Sequence, residues 1–293
     1  MIAIDNQSKV WLFKGASLEL MSHFQLSRYA DRTGDYYSVK MELPPIAKMI
    51  RMSELDGVMM ITVASKIVTI RQGSVINHEL PIPPVVNGIE VYHRRGRHAV
   101  ILLDDQGTVH SVSYSIDGVI SLRPKKLTVL KRNIRFIGSW SSRPVMIDTN
   151  NVVHWRDEST QLPSPVKLFH HNAIVMEDDS VVVLTLNIIP NSGRSTMIRP
   201  FKNKLKNVVS VVHKSETILA KMEIIELLNG DGDMLTIEYS DTSLSPEFYY
   251  RGRYNHSVSK RLIVLNDEIC IEDVNGMVYD PAYKVINLPF ILG

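Results

Sequence analysis

The chain has 293 residues and a mass of 33.2 kDa, and 44% of its residues are hydrophobic, which excludes a disordered chain and allows a sizeable core. Its 33 basic and 31 acidic residues leave a net charge of +2, which excludes a polycation that coats nucleic acid indiscriminately. The 31 valines and 29 isoleucines, against only 9 alanines, favour strands over helices, because β-branched side chains pack well on sheets and lose rotamer freedom in helices.

A short hairpin pattern recurs along the chain. In residues 101–110, an apolar run leads into a turn that is opened by Asp104 and has Gly107 three positions later, and a second strand follows. Asp, Asn and Gly tolerate the positive φ of tight hairpin turns, so the pattern predicts a β-hairpin. It recurs in copies that open at residues 5, 63, 104, 148, 177, 229 and 273.

The spacing of these hairpins and the two chain ends together predict the architecture. The copies recur at irregular intervals near the ~40–50 residues of a propeller blade. Leu-Pro pairs precede hairpins at Pro44, Pro81 and Pro163, whereas the last pair, Leu288-Pro289, has no hairpin after it and the first hairpin has no pair before it. We therefore predict an all-β protein, a seven-bladed β-propeller closed by pairing of its N- and C-terminal segments, with six blades as the alternative.

The repeat unit resembles that of a known family. The unit consists of a Leu-Pro pair, an apolar strand, an Asp-x-x-Gly turn and a second strand with Val-x-aromatic. It is similar to the repeat of the regulator of chromosome condensation family, whose members are seven-bladed propellers. The chain would be a divergent member, because Val109-His110 continues as Ser111-Val112-Ser113 rather than with the family's Trp-Gly-x-Asn. The family includes a guanine-nucleotide exchange factor for a small GTPase, ubiquitin-ligase adaptors and a β-lactamase inhibitor.

Two segments interrupt the repeat. We predict one propeller domain over residues 1–293 with insertions at about 15–41 and 187–222, and we expect the first insertion to contain an added strand at residues 18–26. Under the exchange-factor interpretation, the second insertion would supply the loop that displaces nucleotide.

Few residues suggest chemistry. The sequence has no nucleophile elbow, no phosphate loop, no His-Glu-x-x-His motif and no Cys-x-x-Cys pair, so we predict no enzyme activity, no metal and no cofactor. Asn229, Asp231 and Asp233 have the spacing that opens a calcium loop, but Met234 occupies the place of its glycine, and a hairpin turn explains the segment better. We expect the single cysteine, Cys270, to be a buried apolar residue.

The location of the protein is predicted from what its sequence lacks. No stretch reaches the ~20 apolar residues that cross a bilayer, and the N-terminus has no basic segment followed by a long apolar one. We expect no membrane insertion and no secretion by a signal peptide, and an intracellular (cytoplasmic or nuclear) or virion-associated protein.

Charge is locally concentrated. Residues 118–147 contain seven basic and no acidic residues, and residues 187–222 contain seven basic residues against Glu216. Such runs are usually solvated surface, but they also suit an acidic protein or nucleic-acid phosphates. The candidate binding residues are Arg94, Arg95, Arg97, Lys125, Lys126, Lys131, Arg132, Arg251, Arg253 and Tyr254.

These observations favour a non-enzymatic protein-protein interaction scaffold, as part of a larger assembly or virion in one version. The alternatives are a nucleic-acid-binding module that uses a local basic surface and an exchange factor for a small GTPase. The nucleic-acid alternative requires basic residues of adjacent blades to converge, with Arg94, Arg95 and Arg97 on one blade and the Lys125–Arg132 stretch on the next.

Overall fold

The structure is a computed structural model. It describes residues 2–4, 10–13, 30–33, 36–39, 44, 46–52, 57–62, 64–71, 74–78, 80–93, 97–117, 121–140, 143–189, 193–201, 205–216, 222–240, 247–253, 259–265, 268–280, 282, 284–286 and 288. Two compact units are present, one comprising Met1–Thr149 with Leu288–Gly293 and the other Asn150–Asn287.

The described residues of the first unit form strands and no helix. In chain order the strands are β1 (Ile2–Ile4), β2 (Val10–Phe13), β3 (Ala30–Thr33), β4 (Tyr36–Val39), β5 (Ile46–Met52), β6 (Gly57–Thr62), β7 (Ile67–Arg71), β8 (Ser74–His78), β9 (Val85–His93), β10 (Arg97–Asp104), β11 (Val109–Asp117), β12 (Ser121–Lys131), β13 (Ile134–Trp140) and β14 (Arg143–Asp148).

The second unit is also built of strands throughout its described part. Its strands are β15 (Val152–Trp155), β16 (Glu158–Gln161), β17 (Val166–His170), β18 (Ala173–Met176), β19 (Val181–Ile189), β20 (Gly193–Phe201), β21 (Val208–Glu216), β22 (Met222–Asn229), β23 (Asp233–Ser240), β24 (Glu247–Arg253), β25 (Ser259–Leu265), β26 (Glu268–Asp273), β27 (Val278–Tyr279) and β28 (Val285–Ile286).

Over the described ranges these strands form seven four-stranded sheets. Six of the sheets follow chain order, from β5–β8 to β25–β28, while the N-terminal sheet has the order β1-β2-β4-β3. The prediction of an all-β protein is therefore confirmed. Short connections explain the simple order, because antiparallel neighbours need only a tight turn between them.

The repeated turns share one backbone geometry. Three residues after the turn opener, the backbone has a positive φ at Ser65 (59°), Gly107 (75°), Asn151 (61°), Asp179 (62°), Gly232 (86°) and Gly276 (79°). Gly, Asn and Asp are the residues that occupy this conformation at lowest cost, which is why the pattern could be recognised in the sequence at the turns other than Ser65. The expected hairpins pair as antiparallel strands, as in β10–β11 and β22–β23.

Two turn openers lie one residue earlier than predicted. Thr62, rather than residue 63, opens one turn, and its Oγ1 accepts a hydrogen bond from Lys66 N at 3.0 Å. Met176, rather than Glu177, opens another, since Met176 N donates to Ser180 O and Asp179 N donates to Met176 O. Sequence reasoning looked for a carboxylate at this position, and Met176 has none.

The turns at Ser65, Gly107, Asn151 and Asp179 are also bound to the first strand of the following sheet. In the first unit, Val85 N donates to Ser65 O at 3.4 Å and Ile134 N donates to Gly107 O at 2.9 Å. In the second, Val208 N donates to Asp179 Oδ1 at 3.1 Å. The residue with positive φ thus forms the turn of one sheet and accepts a hydrogen bond from the first strand of the next.

Apolar clusters between successive sheets form the cores of the two units. In the first unit, Val100, Leu102 and Val112 pack with Ile61 and Ile67. In the second, Val181, Val183 and Ile225 belong to one cluster. Cys270 is 1% exposed, which confirms that it is a buried residue.

Several predicted segments have a clear placement. Among the described residues, Leu80-Pro81 and Leu162-Pro163 lie in connections between sheets, with Leu162 buried between β16 and β17. Residues 187–222 contain the end of β19, the whole of β20 and β21, and the start of β22. The expected strand at residues 18–26 lies outside the described residues.

Candidate functional site

The turn at Asp104 contains a buried carboxylate and imidazole pair. Asp104 Oδ1 accepts hydrogen bonds from Gln106 N at 3.0 Å and Thr108 N at 2.7 Å, so it stabilises the turn itself. Asp104 Oδ2 lies 2.8 Å from His110 Nε2, and both side chains are buried. His110 Nδ1 has no hydrogen-bond partner among the described residues.

The turn at Asp273 repeats this arrangement in the second unit. Asp273 Oδ1 accepts from Asn275 N at 2.8 Å and Met277 N at 2.9 Å, while Tyr279 donates its hydroxyl to Asp273 Oδ2 at 3.3 Å. Burial, and then the charge of Asp273, raise the pKa of Tyr279 above its ordinary value. Because His110 and Tyr279 stand at the same repeat position, both pairs are explained by turn formation.

The segment with calcium-like spacing forms the same turn. Asn229 Oδ1 accepts from Asp231 N at 3.0 Å and Asp233 N at 2.7 Å, and Asn229 Nδ2 donates to Asp233 Oδ2 at 3.1 Å. These side chains stabilise one another and the turn. Within the described part of the chain, no group of three or more His, Cys, Asp or Glu could hold a metal ion.

The outer strand β12 differs from the turns. It pairs with β11 at one edge of its sheet, in the order β12-β11-β10-β9. The pairing shifts twice, because Lys126 faces Ser113 while Pro124 faces Tyr114, and Lys131 faces Val109 while Val129 faces His110. Lys125 and Leu130 are therefore extra residues of two β-bulges. Bulges disrupt the ladder and redirect neighbouring side chains.

The second bulge exposes two adjacent apolar side chains. Val129 is 49% exposed and Leu130 is 44% exposed, while Leu127 packs against the buried cluster around Val100 and Leu102. Exposed cations lie on both sides along the chain, with Lys126 before the pair and Arg132 after it. Arg135, in β13, is also exposed and its guanidinium lies 5.0 Å from the Phe136 ring centroid.

We call the set Lys126, Val129, Leu130, Arg132 and Arg135 the basic–apolar edge. Lys131 lies within it in sequence and is half-buried. The cations of this edge were found in the sequence as part of an acid-free run. Its apolar pair was missed, because an apolar residue in a strand usually indicates core and nothing in the composition shows where a bulge will fall.

The remaining candidate residues are placed as follows. Arg97 begins β10 and pairs with His93, whereas Lys125, Lys126 and Lys131 are on β12 of the same sheet. The expectation that they lie on adjacent blades is therefore wrong, because the chain continues within one sheet from β10 to β12. Arg97 and Lys131 lie at opposite ends of this sheet, since Ala99 faces Ser113 and Val109 faces Lys131.

Two of the candidates belong to the second unit. Arg251 and Arg253 are on β24, where Arg253 pairs with Asp233. Arg94, Arg95 and Tyr254 lie outside the described residues. Of the cations in 187–222, Lys206 is exposed and donates from Nζ to Asp178 O at 3.5 Å.

The adjacent histidines of the second unit also have a structural explanation. His170 ends β17, and His171 follows it in a turn with a φ of 54°. Their ring centroids are 4.4 Å apart in an edge-on arrangement. The positive φ of His171 ends β17 at His170.

Comparison with known proteins identifies the fold. No protein-family model and no curated protein matches the sequence. Among solved structures, BBS1N in complex with ARL6DN, soaked with mercury, is similar with a TM-score of 0.57 and 10% identity over 93% of this chain and 83% of that chain. The lead-soaked crystal of the same complex has a TM-score of 0.51 and 10% identity, over 80% of this chain and 77% of that chain. BamB from Moraxella catarrhalis has a TM-score of 0.44 and 12% identity, over 95% of this chain and 89% of that chain.

The chain has a β-propeller fold, as the likeness to the BBS1N propeller shows. At 10% identity this likeness concerns the fold alone. In the part of the chain that the structure describes, no helix is long and apolar enough to cross a membrane.

Proposed function

We propose that the chain is a non-enzymatic protein-interaction scaffold built on a seven-bladed, closed β-propeller. The observation that carries this proposal is the basic–apolar edge, where Val129 and Leu130 are exposed beside Lys126 and Arg132. Adjacent exposed apolar residues with a charged rim have the composition of a protein contact surface. A propeller suits this role because it holds its outer strands on a rigid framework.

Two features support the ring. Leu288–Gly293 belong to the same compact unit as Met1–Thr149, as closure by the two chain ends requires. In both units, turns are bound to the first strand of the following sheet, as at Gly107 and Asp179. Deletion of residues 288–293 should therefore lower the unfolding midpoint sharply, and an unchanged midpoint would contradict closure.

The partner is a protein in this proposal. BBS1N was crystallised in complex with ARL6DN, so a protein with this fold does bind another protein. The test is retention of proteins by the immobilised chain from a lysate of the cells that produce it, before and after nuclease treatment. We expect retained proteins that are lost with Val129→Ser/Leu130→Ser and kept with Val86→Ser, which changes a residue that is 54% exposed on β9. Equal retention by all three chains would contradict the proposal.

A second candidate function is nucleic-acid binding, favoured by the exposed Lys126, Arg132 and Arg135. Replacement of these three residues by Ser would then abolish a gel shift of single-stranded RNA, and the wild-type shift would weaken steeply with salt. A wild-type chain that shifts no RNA at low salt would eliminate this candidate.

Membership in the regulator of chromosome condensation family is part of the proposal, and it rests on the repeat pattern around Asp104 and Gly107. The exchange-factor activity that the resemblance implies is tested by release of labelled nucleotide from small GTPases. Acceleration of release would favour it, and unchanged release would leave the scaffold without this activity.

A further inference from the structure

We propose that the basic–apolar edge binds an acidic linear segment of a partner protein, with an apolar side chain of that segment on Val129 and Leu130. The inference rests on the proposed scaffold function and adds the chemistry of the partner. The acidic side chains of the partner's segment would pair with Lys126, Arg132 and Arg135.

The apolar pair supplies the centre of the contact. Val129 and Leu130 are 49% and 44% exposed and adjacent in sequence, and the bulge at Leu130 accounts for their shared exposure. Leu127, half-buried on the same strand, packs against the core and holds this part of β12 in place. A few residues near the centre of an interface, packed well and surrounded by contacts that exclude water, contribute most of the binding energy in protein interfaces.

The positive charges of the basic–apolar edge favour a negatively charged partner. Residues 118–147 contain no acidic residue, so no carboxylate within this stretch neutralises its cations. Asp104, in the preceding turn, is buried and bound to His110, which leaves Asp105 as that turn's exposed acid. Lys126, Arg132 and Arg135 outnumber it, so an acidic segment is favoured.

The segment binds through side chains rather than as an added strand. Strand addition uses a continuous row of free backbone groups at a sheet edge. In β12, the bulges at Lys125 and Leu130 and the missing N–H of Pro124 interrupt that row. Between the two bulges only Lys126–Val129 are in regular register, which is short for a stable added strand.

The same surface suits a protein better than a nucleic acid. Sequence-tolerant binding of single strands relies on aromatic side chains that stack with bases. Val129 and Leu130 have no flat face for stacking, and the guanidinium of Arg135 lies over the Phe136 ring at 5.0 Å.

The test is selection from a phage-displayed library of short random linear peptides against the full chain. We expect recovered peptides to be acidic with at least one apolar residue. Val129→Ser/Leu130→Ser should weaken their binding roughly tenfold or more, because the apolar anchor is lost. Lys126→Ser/Arg132→Ser/Arg135→Ser should weaken binding at low salt and remove most of its salt dependence.

Val86→Ser is the matched control and should leave peptide binding unchanged. Two results would overturn this inference while the scaffold function stands. One is recovery of peptides without acidic residues, and the other is peptides that bind the double variant and the triple variant as tightly as the wild type. Binding of labelled oligouridine that is lost in the triple variant but kept in Val129→Ser/Leu130→Ser would overturn it in favour of nucleic acid. A chain that selects no peptide and retains no lysate protein would contradict both proposals.

Discussion

The β10–β11 turn and the basic–apolar edge that extends from β12 into β13 differ in burial and in the regularity of their pairing. At the turn from Asp104 to His110, the buried Asp104 and His110 side chains are paired with each other, and the backbone geometry recurs at the other described turns. At the basic–apolar edge, the pairing is bulged and the side chains are exposed. The comparison teaches that the repeated residues maintain the fold, while residues that depart from the repeat are the candidates for function.

The largest expected effect is at Asp104. Asp104→Ala removes the buried carboxylate that accepts hydrogen bonds from Gln106 N and Thr108 N and pairs with the buried His110 Nε2, and we expect a loss of roughly 3–5 kcal/mol of unfolding free energy. The measurement is urea unfolding followed by circular dichroism. Asp104→Asn is the matched control, because it keeps an oxygen for the turn, and its loss should be distinctly smaller. Equal losses would show that the turn bonds contribute little.

Gly107 is expected to have the next largest effect. A Cβ at this position would lie 2.9 Å from Ile134 O, and the backbone has a φ of +75°. Positive φ costs a residue with a side chain about 1–2 kcal/mol, and the contact adds to it, so Gly107→Ala should lose roughly 2–4 kcal/mol. Ser65→Ala is the control at the equivalent turn position, which already accommodates a Cβ. A similar small loss in both variants would contradict this explanation.

These two positions show what the sequence could predict. Asp104 and Gly107 were recognised because a turn with positive φ restricts the residue types that can form it. The prediction was off by one at Thr62, where a hydroxyl replaces the carboxylate, and at Met176, where Asp178 instead accepts from Ser180 N at 3.0 Å. The need for a positive φ in the turn could thus be predicted from the sequence. The replacement of the turn-opening carboxylate by another side chain could not.

The candidate site was less predictable for a related reason. Lys126 and Arg132 were selected from their charge, but charge alone does not tell which end of a sheet a residue occupies. The bulge at Leu130 depends on pairing between β11 and β12, which a single-strand pattern does not reveal. Arg97 and Lys131 were grouped by composition, and the register separates them.

A smaller and pH-dependent effect is expected at Asp179, a turn residue of the second unit. Burial would raise the pKa of Asp179, but hydrogen bonds from Asn207 N, Lys167 Nζ and Val208 N outweigh it and hold the pKa below its ordinary value. The charged form therefore stabilises the fold above about pH 4, and this contribution disappears as the pH falls through the lowered pKa.

The test at Asp179 is Asp179→Asn, which keeps the turn conformation that Asn151 adopts at the equivalent position. We expect a loss of roughly 1–3 kcal/mol at pH 7 that shrinks below about pH 4, measured by urea unfolding over a pH series. A difference between wild type and variant that stays constant down to pH 2 would contradict a role for the charge.

The smallest effect on stability is expected at the basic–apolar edge. Val129 and Leu130 are 49% and 44% exposed, so Val129→Ser/Leu130→Ser removes little buried apolar area. Surface substitutions of this kind usually change the unfolding free energy by less than about 0.5 kcal/mol each. We expect an unfolding midpoint close to that of the wild type, by the same measurement as for Asp104→Ala. Leu127→Ser is the contrasting control on the same strand, because Leu127 packs against the core and its loss should lower the midpoint clearly. If the Val129 and Leu130 double variant unfolds as easily as Leu127→Ser, this pair stabilises the sheet and its exposure is no evidence for a binding surface.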